Sequence, residues 1–514
     1  MQLSRLTILS CVVVNSIAAP TAVNLTYALK ETHPAPKAWS NKGPAPRDRT
    51  LDIHIGLTQQ SQDILEQHAL EVSDPHHHRY GQHLSAAEVH SLIAPTRETV
   101  ALVQDWLSRH GINDLIITPA ADWIQINVTV AQAEQLFHAA YCVFEHLDGT
   151  ALIRATEWSL PAYLHEHIEV VQPTTSFFHQ GKQSTDAVRP HTHNGYSHMI
   201  SRRKVDEHPN LFHQSSGTLR PSVGEICDAS FVTLKCLRTF YGTIDYEPQV
   251  PELSSIAVTN FASETLNRSD LHLYLERFRP EAAQYAYNFP IIRVNNGTDI
   301  QYNRSDGGGI EGDLDGDLVI GISYPIKFHT YNIGGQPPFN HDLATTADTN
   351  EPYVSWMNYI LAQQELPHVI SISYTDDEQS VPVSYAVRAC NGFKQLAARG
   401  VSVLVSSGDN GVGPQGACYS NKDDRTYMFL PAFPASCPWV TSVGATANFT
   451  PEVAVSRFGS GGGFSNYFVQ PAYQKRTIGR YLNIIGDLYT GNYDPNGRGY
   501  PVMGFIILPL DNCH

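Results

Sequence analysis

Residues 368–411 read HVISISYTDDEQSVPVSYAVRACNGFKQLAARGVSVLVSSGDNG. Two short apolar runs, His368–Ser373 and Val401–Ser406, flank a segment, Tyr385–Arg399, whose apolar residues recur at helical spacing. The order predicted is therefore strand, helix, strand. Two strands joined through a helix pair in parallel with a right-handed crossover, so this stretch predicts one unit of a parallel sheet.

The same alternation continues towards the N-terminus of this unit. We predict a helix at Asp270–Phe278, a strand at Asp317–Ile322 and a helix at Val354–Gln364. Repeated units of this kind give an α/β fold, a parallel sheet with helices on both faces. Active sites of such sheets lie beyond the carboxyl ends of the strands, which directs attention to residues 371–378 and 406–413.

The N-terminal part of the chain has a different pattern, in which apolar alternation and helical spacing are mixed. Strands are predicted at Leu51–Leu57 and Trp123–Val130, and helices at Ser61–Val72, Thr96–His110 and Ala131–Ala140. Ser85 and Glu88 have the spacing of a capping box at the start of a further helix. These signals predict a separate α+β domain.

A loop-like stretch at residues 181–225 lies between the two patterns. It contains Arg202-Arg203-Lys204 and few periodic apolar residues. A long surface loop inside one domain would look similar, but structureless loops of more than about 15 residues are uncommon in compact domains. We therefore predict an exposed, cleavable linker between two domains.

The first residues resemble an export signal. Arg5 precedes an apolar run at residues 6–14, and Ser16 and Ala18 have the small-x-small spacing of a cleavage site. A first core helix is the alternative, but the prolines that follow at residues 20, 34 and 36 would interrupt it. We expect residues 1–18 to be a signal peptide and the mature protein to be secreted and extracellular. No later segment supplies the roughly 18 apolar residues of a membrane span.

Composition limits the class of partner. The 514 residues are 42% hydrophobic and 16% charged, as in folded soluble proteins, and the formal net charge is -16. An acidic surface argues against nucleic acid or a membrane as the partner. The eight cysteines form no paired CxxC metal site, so we expect disulfides, with the pairing open, and a monomer. Glycosylation sequons begin at Asn24, Asn127, Asn267, Asn296, Asn303 and Asn448.

Three carboxylates are candidates for chemistry. Glu311 and Asp315 are four residues apart, so on a helix they would share one face and could form a coupled acid pair. A solvated acidic turn or a cation site gives the same pattern, and Gly312 and Gly316 weaken a helix by about 1 kcal/mol each relative to alanine. Asp409 has the stronger position, because it follows the predicted strand Val401–Ser406 at its carboxyl end.

Two further segments are candidates for substrate binding. Ser460, Gly461, Gly462 and Gly463 offer a flat backbone edge on which an extended peptide could pair as a strand; a glycine-rich linker is the alternative. The adjacent acids at 377 and 378 could hold a substrate ammonium group, although acidic pairs in loops are more often simply solvated.

These residues resemble a known family, the sedolisins or serine-carboxyl peptidases, and in particular fungal secreted tripeptidyl-peptidases. The resemblance covers nearly the whole mature chain. The motifs that carry it are Tyr80 to Ser85, Ser159 to Pro161, Glu311 to Asp315, Ser371 to Tyr374, Asp377 to Pro382, Ser407 to Asp409, Phe433 to Pro438, Gly461 to Tyr467 and Gly497 to Pro501.

The resemblance implies a subtilisin-like α/β peptidase domain at residues 226–514, incomplete at its C-terminus, after an activation pro-domain at residues 19–180 that inhibits it. By match, Glu311 is the general base of a serine nucleophile, Asp315 orients it and Asp409 lines the oxyanion hole. These residue types suit acid: at about pH 4 a histidine of ordinary pKa is protonated, whereas a glutamate remains partly available. The resemblance also implies that the substrates are proteins and peptides.

The sequence departs from the family pattern after Pro501. The family's nucleophile lies in a Gly-Thr-Ser-x-Ser-x-Pro segment, and no Gly-Thr-Ser occurs in these 514 residues. A calcium ion is expected for the family, but its ligands lie beyond that serine, so no residue here is assigned to a metal. We expect the chain as written to be inactive. A non-catalytic pseudopeptidase or an inhibitory pro-domain protein is the alternative function, and cleavage of N-terminal tripeptides or within chains is left open.

Overall fold

The computed structural model describes residues 26–177 and 222–502, apart from gaps at 229–230, 303–308, 336, 347, 415, 423–425, 450 and 456–458. The predicted signal peptide and most of the predicted linker lie outside the described residues. Among those residues, no helix has the length and apolar composition needed to cross a membrane.

The N-terminal domain, residues 26–177, is an α+β unit. Its strands and helices, in chain order, are β1 Tyr27–Thr32, β2 Trp39–Pro44, β3 Thr50–Leu57, α1 Gln62–Ser73, α2 Ala86–Ile93, α3 Arg97–Arg109, β4 Ile116–Ile117, β5 Trp123–Thr129, α4 Val130–Phe137, β6 Cys142–His146, β7 Ala151–Arg154, β8 Glu157–Pro161 and β9 Ile168–Gln172. The largest sheet has the order β4-β5-β3-β9 and is antiparallel.

Local sequence signals explain these elements. Side chains that alternate along β3 and β5 pack with α3 and α4 around Trp106 and Trp158, both fully buried. The predicted capping box is present: the Ser85 N–H donates to Glu88 Oε2 at 2.8 Å, and the Glu88 N–H donates to Ser85 Oγ at 3.3 Å. Each predicted helix and strand of this domain occurs within a few residues of its predicted bounds.

The C-terminal domain, residues 222–502, alternates strands and helices. Its elements are α5 Val223–Ile226, α6 Leu234–Phe240, β10 Ser255–Asn260, α7 Arg268–Phe278, β11 Ile291–Val294, α8 Ile310–Ser323, β12 Lys327–Ile333, α9 Tyr353–Leu361, β13 Val369–Ile372, β14 Asp376–Asp377, α10 Val383–Ala398, β15 Ser402–Ser406, β16 Ala432–Phe433, β17 Thr441–Val443, β18 Thr446–Ala447, β19 Val453–Ala454, β20 Gly463–Val469, α11 Lys475–Ile485 and β21 Gly497–Tyr500. Its main sheet has six strands in the order β11-β12-β10-β13-β15-β17.

Every pairing in this sheet is parallel, as the alternation of strands and helices predicts. The unit β13-α10-β15 confirms the prediction from residues 368–411. Helices α9 and α10 cover one face through a core that includes Trp356 and Phe393, while α7 and α8 pack with Leu266, Leu271 and Ile320.

The predicted strand at 317–322 is wrong. These residues form the second half of α8, and the strand follows at Lys327–Ile333. The glycines of α8 are the physical reason: a Cβ at Gly316 would lie 2.4 Å from the Leu266 side chain, and one at Gly321 would lie 2.4 Å from that of Leu234. The glycines lower helix propensity but let α8 pack closely on its neighbours, and this packing outweighs the local preference.

The cysteines confirm the expectation of disulfides. Cys390 on α10 is bonded to Cys437, and Cys227 is bonded to Cys236. Cys418 is also in a disulfide, whereas Cys142 is a free thiol. The bond from α10 ties a helix that covers the sheet to the loop before β17.

Candidate active site

Helix α8 presents two of the predicted catalytic acids. It begins after Gly309, which has a φ of +98°, a left-handed conformation that favours glycine. Glu311 and Asp315 lie one turn apart on the same side of the helix. Asp315 is 9% exposed and Glu311 is half-buried, so the pair is not a solvated acidic turn.

Asp315 is joined to the main sheet by a hydrogen bond. Ser373, directly after β13, donates its hydroxyl to Asp315 Oδ1 at 2.7 Å. Burial, together with the nearby charge of Glu311, raises the pKa of Asp315 from 3.8 to about 7, while the Ser373 bond acts in the opposite direction. At acid pH Asp315 therefore carries a proton that it can donate.

Asp409 lies at the same edge of the sheet. It follows β15, and β15 pairs with β13, so the loops after these strands are neighbours. Gly408 has a φ of +87°, and a Cβ at that position would lie 3.2 Å from Thr375 Oγ1 in the loop after β13. The fold thus brings the α8 acids and Asp409 to the carboxyl ends of adjacent parallel strands.

The glycine-rich segment Ser460–Gly463 packs against the Asp409 loop. A Cβ at Gly461 would lie 1.8 Å from the carbonyl oxygen of Ser407, so this approach requires glycine. The Gly461 N–H donates to Gly408 O at 2.7 Å, and the Gly462 N–H donates to Gly411 O at 3.0 Å. These two donors are occupied inside the protein, and the pairing of a peptide with this segment stays a prediction.

The acids at 377 and 378 do not form a solvated loop. Glu378 is fully buried and accepts hydrogen bonds from Ser465 Oγ at 2.5 Å and from the Asn466 N–H at 2.7 Å. Burial raises the pKa values of both acids. Glu378 thereby fastens β20, which follows the glycine-rich segment, to the loop after β13, and its carboxylate is committed to that contact.

A second group of buried carboxyls was missed by the sequence reasoning. Asp376 accepts from the Glu351 N–H at 3.3 Å, and burial together with the charge of Asp376 raises the pKa of Glu351 well above its usual range. Burial likewise raises the pKa of Asp348. Burial raises the pKa of Tyr374, and so do the charges of Glu264, Glu311, Asp315 and Glu351. Tyr374 is therefore within electrostatic reach of Glu351 and of the two acids on α8. The segments 348–351 and 374–376 are separated in sequence. Neither contains a motif that predicts that their carboxyls lie together.

Comparison with known proteins gives the family. Residues 37–177 match the family described as Pro-kumamolisin, activation domain. The whole chain is similar to tripeptidyl-peptidase SED2 of Arthroderma otae, at 34% identity over 94% of this chain and 78% of that protein. Similar matches are a probable tripeptidyl-peptidase SED2 of Arthroderma benhamiae, at 33% over 91% and 74%, and tripeptidyl-peptidase sed4 of Aspergillus fumigatus, at 33% over 95% and 77%. The chain is a sedolisin.

Among solved structures, a Pseudomonas sedolisin, a serine-carboxyl proteinase complexed with pseudo-iodotyrostatin, matches at 18% identity over 52% of this chain and 68% of that one, with a TM-score of 0.34. Membership of the sedolisins makes this a serine peptidase by family. The match to the activation domain at residues 37–177 lies within its N-terminal domain, which is therefore the pro-domain.

The site of this sedolisin can hold protons in acid. Asp315 is protonated below about pH 7 and lies beside Glu311, while Asp409 lies on the adjacent loop. Within the described residues, no group of three or more His, Cys, Asp or Glu side chains is arranged to hold a metal ion. Calcium stays an expectation for the family, and no described residue is assigned to it.

Proposed function

We propose that this protein is a secreted acid peptidase of the serine-carboxyl type, made as a zymogen, which releases tripeptides from the N-termini of peptides and proteins. The observation that carries the catalytic part is the buried Asp315, hydrogen-bonded to Ser373 at the sheet edge that also presents Asp409. Residues 1–18 support the secretion.

In this mechanism Glu311 takes the proton of the nucleophilic serine, and protonated Asp315 holds Glu311 in place. Asp409, when protonated, donates a hydrogen bond to the oxyanion of the tetrahedral intermediate. Glu311 must be ionised to accept a proton, whereas Asp315 and Asp409 must be protonated. A neutral Asp409 exists only in acid. Activity is therefore confined to acid pH.

The carboxyls Glu351 and Asp376 support cleavage from a free N-terminus. Both are buried, and a hydrogen bond between the two side chains, together with burial, raises the pKa of Glu351 well above its usual range. A substrate ammonium group beside the pair would favour the ionised form of both carboxyls. Tyr374 is within electrostatic reach of both Glu351 and Glu311, which supports a position of this acidic pair near the candidate catalytic acids.

The proposal predicts strong discrimination against a blocked N-terminus. In a chain that joins residues 1–501 to the serine-bearing C-terminal part of tripeptidyl-peptidase SED2, called here the extended chain, we expect cleavage of free-amine peptides at pH 4. Acetylation should lower kcat/KM by roughly 100-fold, because a buried carboxylate loses its cation. The masses of the products identify the cleavage site. Equal cleavage of the free-amine and acetylated peptides, with internal products, would contradict the proposed exopeptidase activity.

The same extended chain tests the general base. Glu311→Gln removes the proton acceptor with almost no change in shape, so kcat should fall by about 100-fold or more while the urea midpoint stays unchanged. Asp299→Asn, a carboxyl of the same domain that lies outside the candidate site, serves as the matched control. Near-normal kcat for Glu311→Gln would remove this residue from the mechanism.

A further inference from the structure

Arg388 on α10 is a peptidase-domain residue whose guanidinium is committed to the pro-domain. Its side chain is buried, at 5% exposure. Nη2 donates to Asp122 Oδ2 at 2.7 Å and to Asp122 O at 3.1 Å, and Nη1 donates to Glu169 Oε2 and to Leu57 O, each at 2.7 Å. Each of these acceptors belongs to the pro-domain, so the release of this domain removes all four bonds.

Trp123 of the pro-domain enters the peptidase domain beside this arginine. Its ring is 4% exposed and belongs to the packed core that contains Val354 and Met357 of α9. Arg388 Cζ lies 4.8 Å from the centre of the Trp123 ring, a cation–π contact. A residual space of about 20 Å³ between the two domains is lined by Met357, Gly392 and Gln395 as well as Trp123. The indole thus fills a socket between α9 and α10.

The pro-domain presents these two residues on a fixed turn. Asp122 is held by Gln59 Nε2 and Thr118 Oγ1, each donating at 2.8 Å to a different carboxylate oxygen. Ala121, directly before it, has a φ of +56°, a left-handed conformation that costs a non-glycine residue roughly 1–2 kcal/mol. Strain of this kind persists where surrounding contacts fix the conformation, and here it orients Asp122 and Trp123 towards α10.

Other polar contacts also join the domains: Ser384 Oγ donates to Glu31 Oε1 at 2.6 Å, and His33 Nδ1 lies 2.8 Å from Asn340 Oδ1. Lys394 reaches Gln62 Oε1 at 3.2 Å and lies 3.9 Å from Glu66, whose side chain is 53% exposed. Exposed pairs of this kind contribute little to stability, whereas a buried arginine with two carboxylate partners and an aromatic ring has the properties of a binding hot spot. Arg388 combines four hydrogen bonds with a contact to an aromatic ring, so we take Arg388 and the socket as the main recognition element of this interface.

We propose that the peptidase domain has a binding socket between α9 and α10 for an aromatic side chain next to a carboxylate, and that Asp122 and Trp123 are its ligand in the zymogen. Release of the pro-domain leaves the Arg388 guanidinium and the apolar walls of the socket without these partners. The mature enzyme then binds acidic-aromatic peptide segments at this socket, which is separate from the candidate active site and independent of the catalytic roles proposed above.

Competition with a peptide tests the socket in the unaltered protein. The 514-residue chain is cut in the linker at Arg202–Lys204 with trypsin, and retention of the pro-domain is followed by gel filtration at fixed pH. An acetylated, amidated peptide of residues 118–124 is expected to increase pro-domain release in a concentration-dependent manner. Peptides with alanine for Trp123 or asparagine for Asp122 should be at least 10-fold weaker, since each lacks one recognised group.

Variants supply a second readout. Arg388→Lys keeps the charge but loses the forked geometry, so dissociation of the cut pro-domain should be at least 10-fold faster than in the unaltered chain. Trp158→Phe, in the pro-domain core away from α10, is the matched control and should leave this rate unchanged. If Arg388→Lys does not fold, the peptide competition decides alone. No effect of the peptide at millimolar concentration, or a potency of the two altered peptides equal to that of the parent peptide, overturns the proposal.

Discussion

The polypeptide of residues 1–514 is expected to have no measurable peptidase activity at any pH, and the extended chain to be active at pH 4. Loss of the nucleophile in a serine peptidase lowers kcat by roughly 10⁶-fold, and the remaining acids cannot replace it. If no serine of these 514 residues acts as the nucleophile, Glu311 has no proton to take and Asp409 has no acyl oxyanion to stabilise. Hydrolysis of a free-amine peptide by both chains measures the difference.

Activation of water by the acid pair alone is the chemical alternative. Glu311 and Asp315 lie on one helix, whereas aspartic peptidases place two carboxyls face to face so that they share one proton. The extended chain with its nucleophilic serine changed to alanine is the control and should be as inactive as the 514-residue polypeptide. Acid activity of the 514-residue polypeptide would mean that the nucleophile is wrongly placed. Absence of activity from a well-folded extended chain would favour the pseudopeptidase.

The protein is expected to lose several kcal/mol of folding stability between pH 4 and pH 8. Burial raises the pKa of Asp315 from 3.8 to about 7 and that of Asp317 to about 8. A folded-state pKa above the unfolded value means that the folded state binds more protons, so the stabilisation is present below about pH 4 and is lost as the pH rises to 7 or 8. For Asp315 alone, about 3 pH units correspond to roughly 4 kcal/mol.

Other buried groups modify this loss. Asp313, whose pKa burial raises to about 7, is partly exposed and contributes less. His329 acts in the opposite direction, because burial lowers its pKa to about 4 and its contribution disappears as the pH falls from 6.5 to 4. The buried carboxyls with raised pKa values outnumber this histidine, so we expect the folded protein to be more stable at pH 4 than at pH 8.

Urea unfolding of the 514-residue chain at pH 4, 6 and 8 measures the effect as a fall in the midpoint. Asp317→Asn should flatten the pH dependence, since an amide has no charge to bury. Asp299→Asn, which changes an exposed carboxyl, is the control and should keep the full slope. A midpoint that rises with pH would contradict the burial argument.

The sequence alone was sufficient for features that depend on local periodicity. The apolar runs around 368–411 predict β13, α10 and β15, because buried strands and amphipathic helices leave different spacings in the chain. The spacing of Ser85 and Glu88 predicts a helix start, because both partners of a capping box lie within one turn. The position of Asp409 after a strand predicts the edge of the sheet on which it lies.

The tertiary structure decided features that depend on residues distant in sequence. The run at 317–322 is apolar enough for a strand, and only the packing of Gly316 on Leu266 and Gly321 on Leu234 makes it a helix. Arg388 and Asp122 are 266 positions apart, and neither has a local signal for the other. Burial and pairing of such side chains arise when separate elements meet, so their energies, and the raised pKa values that follow, are not encoded in any short window of sequence.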